Sequence, residues 1–155
     1  MKKLHHLITL FSVFFCCAQN TLIPDVNFES ALINKGIDIG AIDGKVLTSN
    51  VSGITSLDIS ANNISNLTGI QDFVSLTFLE CSRNKLSSLD LTNNTSLTLL
   101  NCWGNNITNL DLTRNTKLTY LSCFQNKLTS LDLSKNTLLS QLFCSWNELN
   151  RLNLK

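Results

Sequence analysis

Four cysteines, Cys81, Cys102, Cys123 and Cys144, recur at intervals of 21 residues, and a thiol can cross-link, ligate a metal or act as a nucleophile. Each of those uses demands more than a fixed interval supplies. A zinc site needs four ligands converging in a tetrahedron, whereas one phase of a repeat puts side chains in single file. Neighbours in such a file bring their Cα atoms into disulfide range, but parallel side chains are poorly aimed for the bond. Free thiols acting as small buried apolar groups are the better reading, in a column that Ile59 begins. Asp90, Asp111 and Asp132 make a second file at the same interval. Like charges about 5 Å apart in water repel by a little under about 1 kcal/mol per pair. Calcium would relieve that, yet carboxylates in single file give it too few ligands. The flanking Ser88, Thr92, Asn109, Thr113, Ser130 and Ser134 are nearer donors. No cofactor and no metal is therefore expected.

Catalysis fares no better. The two histidines, His5 and His6, precede the repeats and sit in an apparent export signal: Lys2 and Lys3, an apolar stretch from Leu7 to Cys17, then small residues at Cys16 and Ala18. Cleavage after Ala18 makes Gln19 the mature start. Bulky Val13, Phe14 and Phe15 stand where a lipidation signal has small residues, which argues against a lipidated Cys16 or Cys17. With the histidines gone, Ser/His/Asp and Cys/His arrangements are impossible. Carboxylates such as Asp58 and Glu80 remain, but no cleft flanked by two acids follows from the pattern. Removal of Lys2 and Lys3 from twelve basic residues leaves ten against eleven acidic ones, so nothing attracts nucleic acid. No other segment is long and apolar enough for a transmembrane helix, and the expected location is secreted or at the cell surface.

The elements that must position these files follow from the same interval. Asn84, Asn105, Asn126 and Asn147 share it, as do Leu79, Leu100, Leu121 and Leu142, and the pattern LxxLxCxxNxL runs from Leu76 to Leu86, Leu97 to Ile107, Leu118 to Leu128 and Leu139 to Leu149. One coil of this length cannot bury its apolar side alone, but stacked coils share a continuous interior. Alternation in Leu79-Glu80-Cys81 sends one side chain in and the next out, as a half-buried strand requires. The asparagines should form a ladder where the chain leaves the strand, with Asn94, Asn115 and Asn136 forming a second one. Leu89-Asp90-Leu91, Leu110-Asp111-Leu112 and Leu131-Asp132-Leu133 alternate as well, which predicts a second strand in each coil.

This pattern resembles the leucine-rich repeat, and the earlier 22-residue unit from Ile54 to Ser75 is similar to repeats of internalin-like bacterial surface proteins. The stretch from Pro24 to Leu32 resembles their short amino-terminal cap helix. The likeness covers residues 23–155 and implies a mostly β fold: a right-handed solenoid of parallel strands, two short strands per coil, behind a cap. The expected organisation is a signal peptide at 1–18, a capping segment at 19–53 with a helix near 25–35, and repeats over 54–155. The last coil stops short at Leu152-Asn153-Leu154-Lys155 without a polar cap, and self-association through it is expected.

Outward positions on the strands alternate with the inward Leu and Cys. They read Phe78, Glu80 and Ser82; Leu99, Asn101 and Trp103; Tyr120, Ser122 and Phe124; Gln141, Phe143 and Ser145, with Trp146 alongside. Phe78, Trp103, Tyr120, Phe124, Phe143 and Trp146 are thus candidate ligand-binding residues. Strands about 4.8 Å apart would gather them into one apolar patch. Such rings suit a protein hot spot or the apolar face of a sugar. The bland alternative is that they only stack across strands, leaving a spacer within a larger adhesin. Asn-x-Ser/Thr matches such as Asn63-Ile64-Ser65 follow from repeat composition.

Overall fold

The structure is a computed structural model and describes residues 19–154. The export signal and the Ala18 cleavage point lie outside the described residues. Strand β1 (Asn20–Leu22) leads into helix α1 (Val26–Asn34), and β2 (Lys45–Leu47) returns antiparallel to β1 before a short helix α2 (Thr48–Val51). Asp25 starts α1, because its Oδ1 accepts the otherwise orphaned N–H groups of Asn27 and Phe28 at 2.9 and 3.1 Å. Its Oδ2 reaches forward to the Ser65 N–H, the Ser65 hydroxyl and the Asn66 N–H, tying the cap to the first repeat. Glu29 is fully buried in α1, and its carboxylate accepts from the Asp43 and Gly44 N–H groups, which satisfies a charge that would otherwise be costly to bury. Phe28 and Phe73 meet at 6.2 Å between ring centres and close the interface between cap and repeats.

Beyond the cap the chain winds into stacked coils. Each contributes a three-residue strand: β3 (Ser56–Asp58), β4 (Phe78–Glu80), β5 (Leu99–Asn101), β6 (Tyr120–Ser122), then β7 (Ser130–Asp132) on the opposite side, β8 (Gln141–Phe143) and β9 (Arg151–Asn153). The order β3-β4-β5-β6-β8 makes one parallel sheet with Leu57, Leu79, Leu100, Leu121 and Leu142 in register. Inside it run files of Leu, Ile and Cys, fully buried from Leu57 through Cys123, each worth roughly 1.5–3 kcal/mol for a Leu or Ile side chain removed from water. Leu139, Leu142, Cys144 and Leu149 of the last coil are only partly covered, since no further coil packs on them within the described residues.

The chain leaves each strand through a left-handed residue: Arg83, Gly104, Gln125 and Trp146 have φ of 54°, 66°, 55° and 58°. That turn strands carbonyls in the interior, and the asparagine after it collects them. Asn105 Nδ2 donates to the Cys81 and Cys102 carbonyls at 3.1 and 3.0 Å while Oδ1 accepts the Leu86 N–H at 3.0 Å. Asn84, Asn126 and Asn147 repeat the arrangement. Asn94, Asn115 and Asn136 form a second ladder, in which Nδ2 donates to carbonyls of the preceding coil but Oδ1 is buried without a partner.

The expected second strand in every coil is realised only as β7 and β9, which pair in parallel at the last two coils. Leu89-Asp90-Leu91 and Leu110-Asp111-Leu112 alternate correctly in burial but make no ladder. The reason is spacing: the Thr108 N–H reaches the Ser87 carbonyl only at 3.4 Å, against 2.8 Å for the Cys81 N–H to the Asn101 carbonyl on the sheet side. Alternation reports burial, whereas pairing also needs neighbouring coils close enough for hydrogen bonds.

Candidate ligand-binding face

The outward side of the sheet is a grid set by strand register. Its central row is Asp58, Glu80, Asn101, Ser122 and Phe143; one flank holds Ser56, Phe78, Leu99, Tyr120 and Gln141. The row therefore runs from acids in the early coils to a ring in the last. Trp103 and Phe124 follow their strands on the other flank, with ring centres 6.2 Å apart, and Phe124 lies 6.0 Å from Trp146. Tyr120 meets Phe143 at 5.7 Å diagonally across strands. These are tilted aromatic pairs, each worth about 0.5–1.5 kcal/mol beyond the area they cover. Phe143 and Trp146 are nonetheless 51 % and 74 % exposed.

Between the two ring clusters lies an open cleft of about 520 Å³ lined by Asn101, Trp103, Tyr120, Ser122, Phe124, Phe143, Ser145 and Trp146. Five of the six sequence-nominated residues are thus brought together. Phe78 is not: it stands half-buried next to the early end of its row, with Leu99 between it and Tyr120, and joins none of the ring pairs among the described residues. The polar floor of Asn101 and Ser122 was visible as outward positions but carried no signal of its own until the rings were placed around it. Trp146 also differs from the others, because it projects from the left-handed turn rather than from a strand.

Asn101 is held in one orientation. Its Nδ2 donates to Glu80 Oε2 at 2.6 Å, and the other Glu80 oxygen accepts the Ser82 N–H at 3.0 Å. Asn101 Oδ1 is left buried without a partner, an arrangement that costs roughly 1–3 kcal/mol. Arg83 lies over the Trp103 ring without lining the cleft, its guanidinium carbon 5.8 Å from the ring centre. At the start of the face, hydrogen bonds from the Ser60 N–H and hydroxyl hold the Asp58 carboxyl below the usual carboxylate range. Beneath the grid the thiols are chemically quiet. Burial pushes Cys81 and Cys102 well above the ordinary thiol range and Cys123 up to about 12. Among the described residues the four cysteines, Cys81, Cys102, Cys123 and Cys144, are unpaired.

No protein-family model matches this chain. Over 76 residues, 49 % of this chain and 8 % of the relative, it is 42 % identical to internalin J of Listeria monocytogenes. The solved functional domain of internalin J from the same organism, which includes a cysteine ladder, superposes with a TM-score of 0.77 at 41 % identity, covering 85 % of this chain and 30 % of that one. The chain is an internalin-like leucine-rich-repeat solenoid. Internalin C2 of Listeria monocytogenes, 22 % identical with a TM-score of 0.61 over 88 % of this chain and 78 % of that one, shares the fold. This internalin-like chain therefore spans a small part of internalin J, and its file of Cys81, Cys102, Cys123 and Cys144 stands among the described residues as a ladder of separate thiols. Among those residues no helix is long and apolar enough to cross a membrane, and no three His, Cys, Asp or Glu side chains are grouped to hold a metal.

Proposed function

We propose that this internalin-like chain is a non-catalytic binding module of an exported surface or secreted protein, and that the ring-lined sheet face engages a protein or glycan ligand. One observation carries the reading: rings from three successive coils converge on a single open cleft while leaving Phe143 and Trp146 largely in water. Stacking across strands explains contact between rings, but it does not require an exposed tryptophan. The likeness to internalin J adds the fold class in which extended solenoid faces serve as binding surfaces.

Trp103 and Trp146 are the only tryptophans, so their emission reports on the cleft directly. Presented with immobilised host proteins and glycans, the chain should retain a ligand that changes that emission. Replacing both Trp103 and Trp146 by alanine should abolish retention. Retention that survives the double substitution would remove the face from consideration, and a spacer would bind nothing at all.

A further inference from the structure

The cleft presents two kinds of surface at once. Its walls are rings, yet its floor is polar and none of its lining side chains carries a charge. Ser122 is only 6 % exposed, lines the cleft, and its hydroxyl makes no hydrogen bond among the described residues. Beside it in register, Asn101 has its Nδ2 committed to Glu80, so the amide turns Oδ1 the other way as a buried acceptor with nothing donating to it. The floor thus offers an incoming hydroxyl group the Ser122 hydroxyl, which can donate or accept, while the Asn101 oxygen stays enclosed.

Trp146 points the same way. A bulky side chain in the left-handed region is strained, and this one is also 74 % exposed. The equivalent turn positions are filled by Arg83, Gly104 and Gln125, so the turn does not need a ring there. What the ring adds is a flat wall, continuous with Phe124.

Resting on the reading of this face as a binding surface, we infer that the cleft is a saccharide site for an uncharged sugar ring within an oligosaccharide. The C–H face of the sugar lies on the Trp146 and Phe124 wall, and a hydroxyl of its rim meets Ser122 Oγ. A pyranose carries an apolar face and a hydroxyl rim on one rigid ring, which is the combination the walls and floor present. A peptide strand would instead need paired donors and acceptors for its backbone, and a charged side chain would find no counter-ion in the lining.

The full chain is titrated with neutral hexasaccharides of glucose, xylose, mannose and N-acetylglucosamine while tryptophan emission is followed. At least one should give a saturable shift. Ser122→Ala should weaken that response about tenfold, by removing one hydrogen bond to the sugar. Trp146→Gly should weaken it at least as much while the thermal midpoint holds or rises, because glycine adopts the left-handed turn freely. Silence across all the sugars overturns the saccharide assignment, and so does a response that both variants retain. A protein ligand lost on replacing Trp103 and Trp146 by alanine, with the sugars silent, would sink the sugar and spare the face. A ligand kept by that double variant would sink the face itself.

Discussion

The same 21-residue interval builds two opposite surfaces on this solenoid. On the side of Asp90, Asp111 and Asp132 each carboxylate is consumed locally: its Oδ1 accepts the backbone N–H two residues on, and for Asp90 and Asp111 the hydroxyl of Thr92 or Thr113 as well. These bonds hold the three carboxyls below the usual carboxylate range. On the sheet side the rings stack on one another, with Arg83 over Trp103, and the Ser122 hydroxyl on their floor makes no hydrogen bond among the described residues. Periodicity therefore delivers columns on both sides, but large rings are left exposed for a partner on the sheet side, at Phe143 and Trp146.

The largest effect should come from breaking what both sides share. Asn126→Ala leaves the Ile107 N–H unpaired in the interior and takes one of two amide donors from each of the Cys102 and Cys123 carbonyls, which keep Asn105 and Asn147, and about 1–3 kcal/mol of stability should be lost in urea unfolding. Next in size is Phe124→Ala, which removes the ring between Trp103 and Trp146. It should lower stability by about 1–2 kcal/mol, and ligand retention by at least tenfold. If retention is unaffected, the two sides do not differ in the way described.

Thiol chemistry sharpens the contrast between inner and last coils. At pH 8 a small disulfide reagent should leave Cys81, Cys102 and Cys123 unlabelled in the folded chain and label them together with Cys144 after unfolding, since burial keeps the inner thiols protonated and out of reach. Rapid native labelling of Cys102 would mean the coils open. The smallest effect is expected on the acid side. Depressed carboxyl pKa values contribute stability that is fully present above the unfolded value near 4 and is lost as pH falls through the lower folded value. Replacing Asp90, Asp111 and Asp132 together by asparagine should reduce the fall in thermal midpoint between pH 5 and pH 2.5, and leave ligand retention at pH 7 unchanged. A loss of retention would place function on the acid side.

Much of the scaffold was legible before any coordinates. Leu79, Cys81 and Asn84 with their equivalents announce an interior file and a turn ladder, because a residue that recurs at one phase of a coil occupies one environment. The second strand was over-read at Leu89 and Leu110, where alternation recorded burial but neighbouring coils stand too far apart to pair. The ring face was half-legible: outward phase named the rings, but it grouped Phe78 with them and gave Asn101 and Ser122 no weight.

The sequence alone determined the period, the buried files and the asparagines that close each turn, since these depend on which residues recur and at what spacing. Only the tertiary structure decided which outward side chains share a cleft. Register sets Tyr120 diagonal to Phe143, the left-handed turn swings Trp146 toward Phe124, and the Glu80 carboxylate fixes the Asn101 amide. Those are relations between coils 21 residues apart, and no one coil contains them.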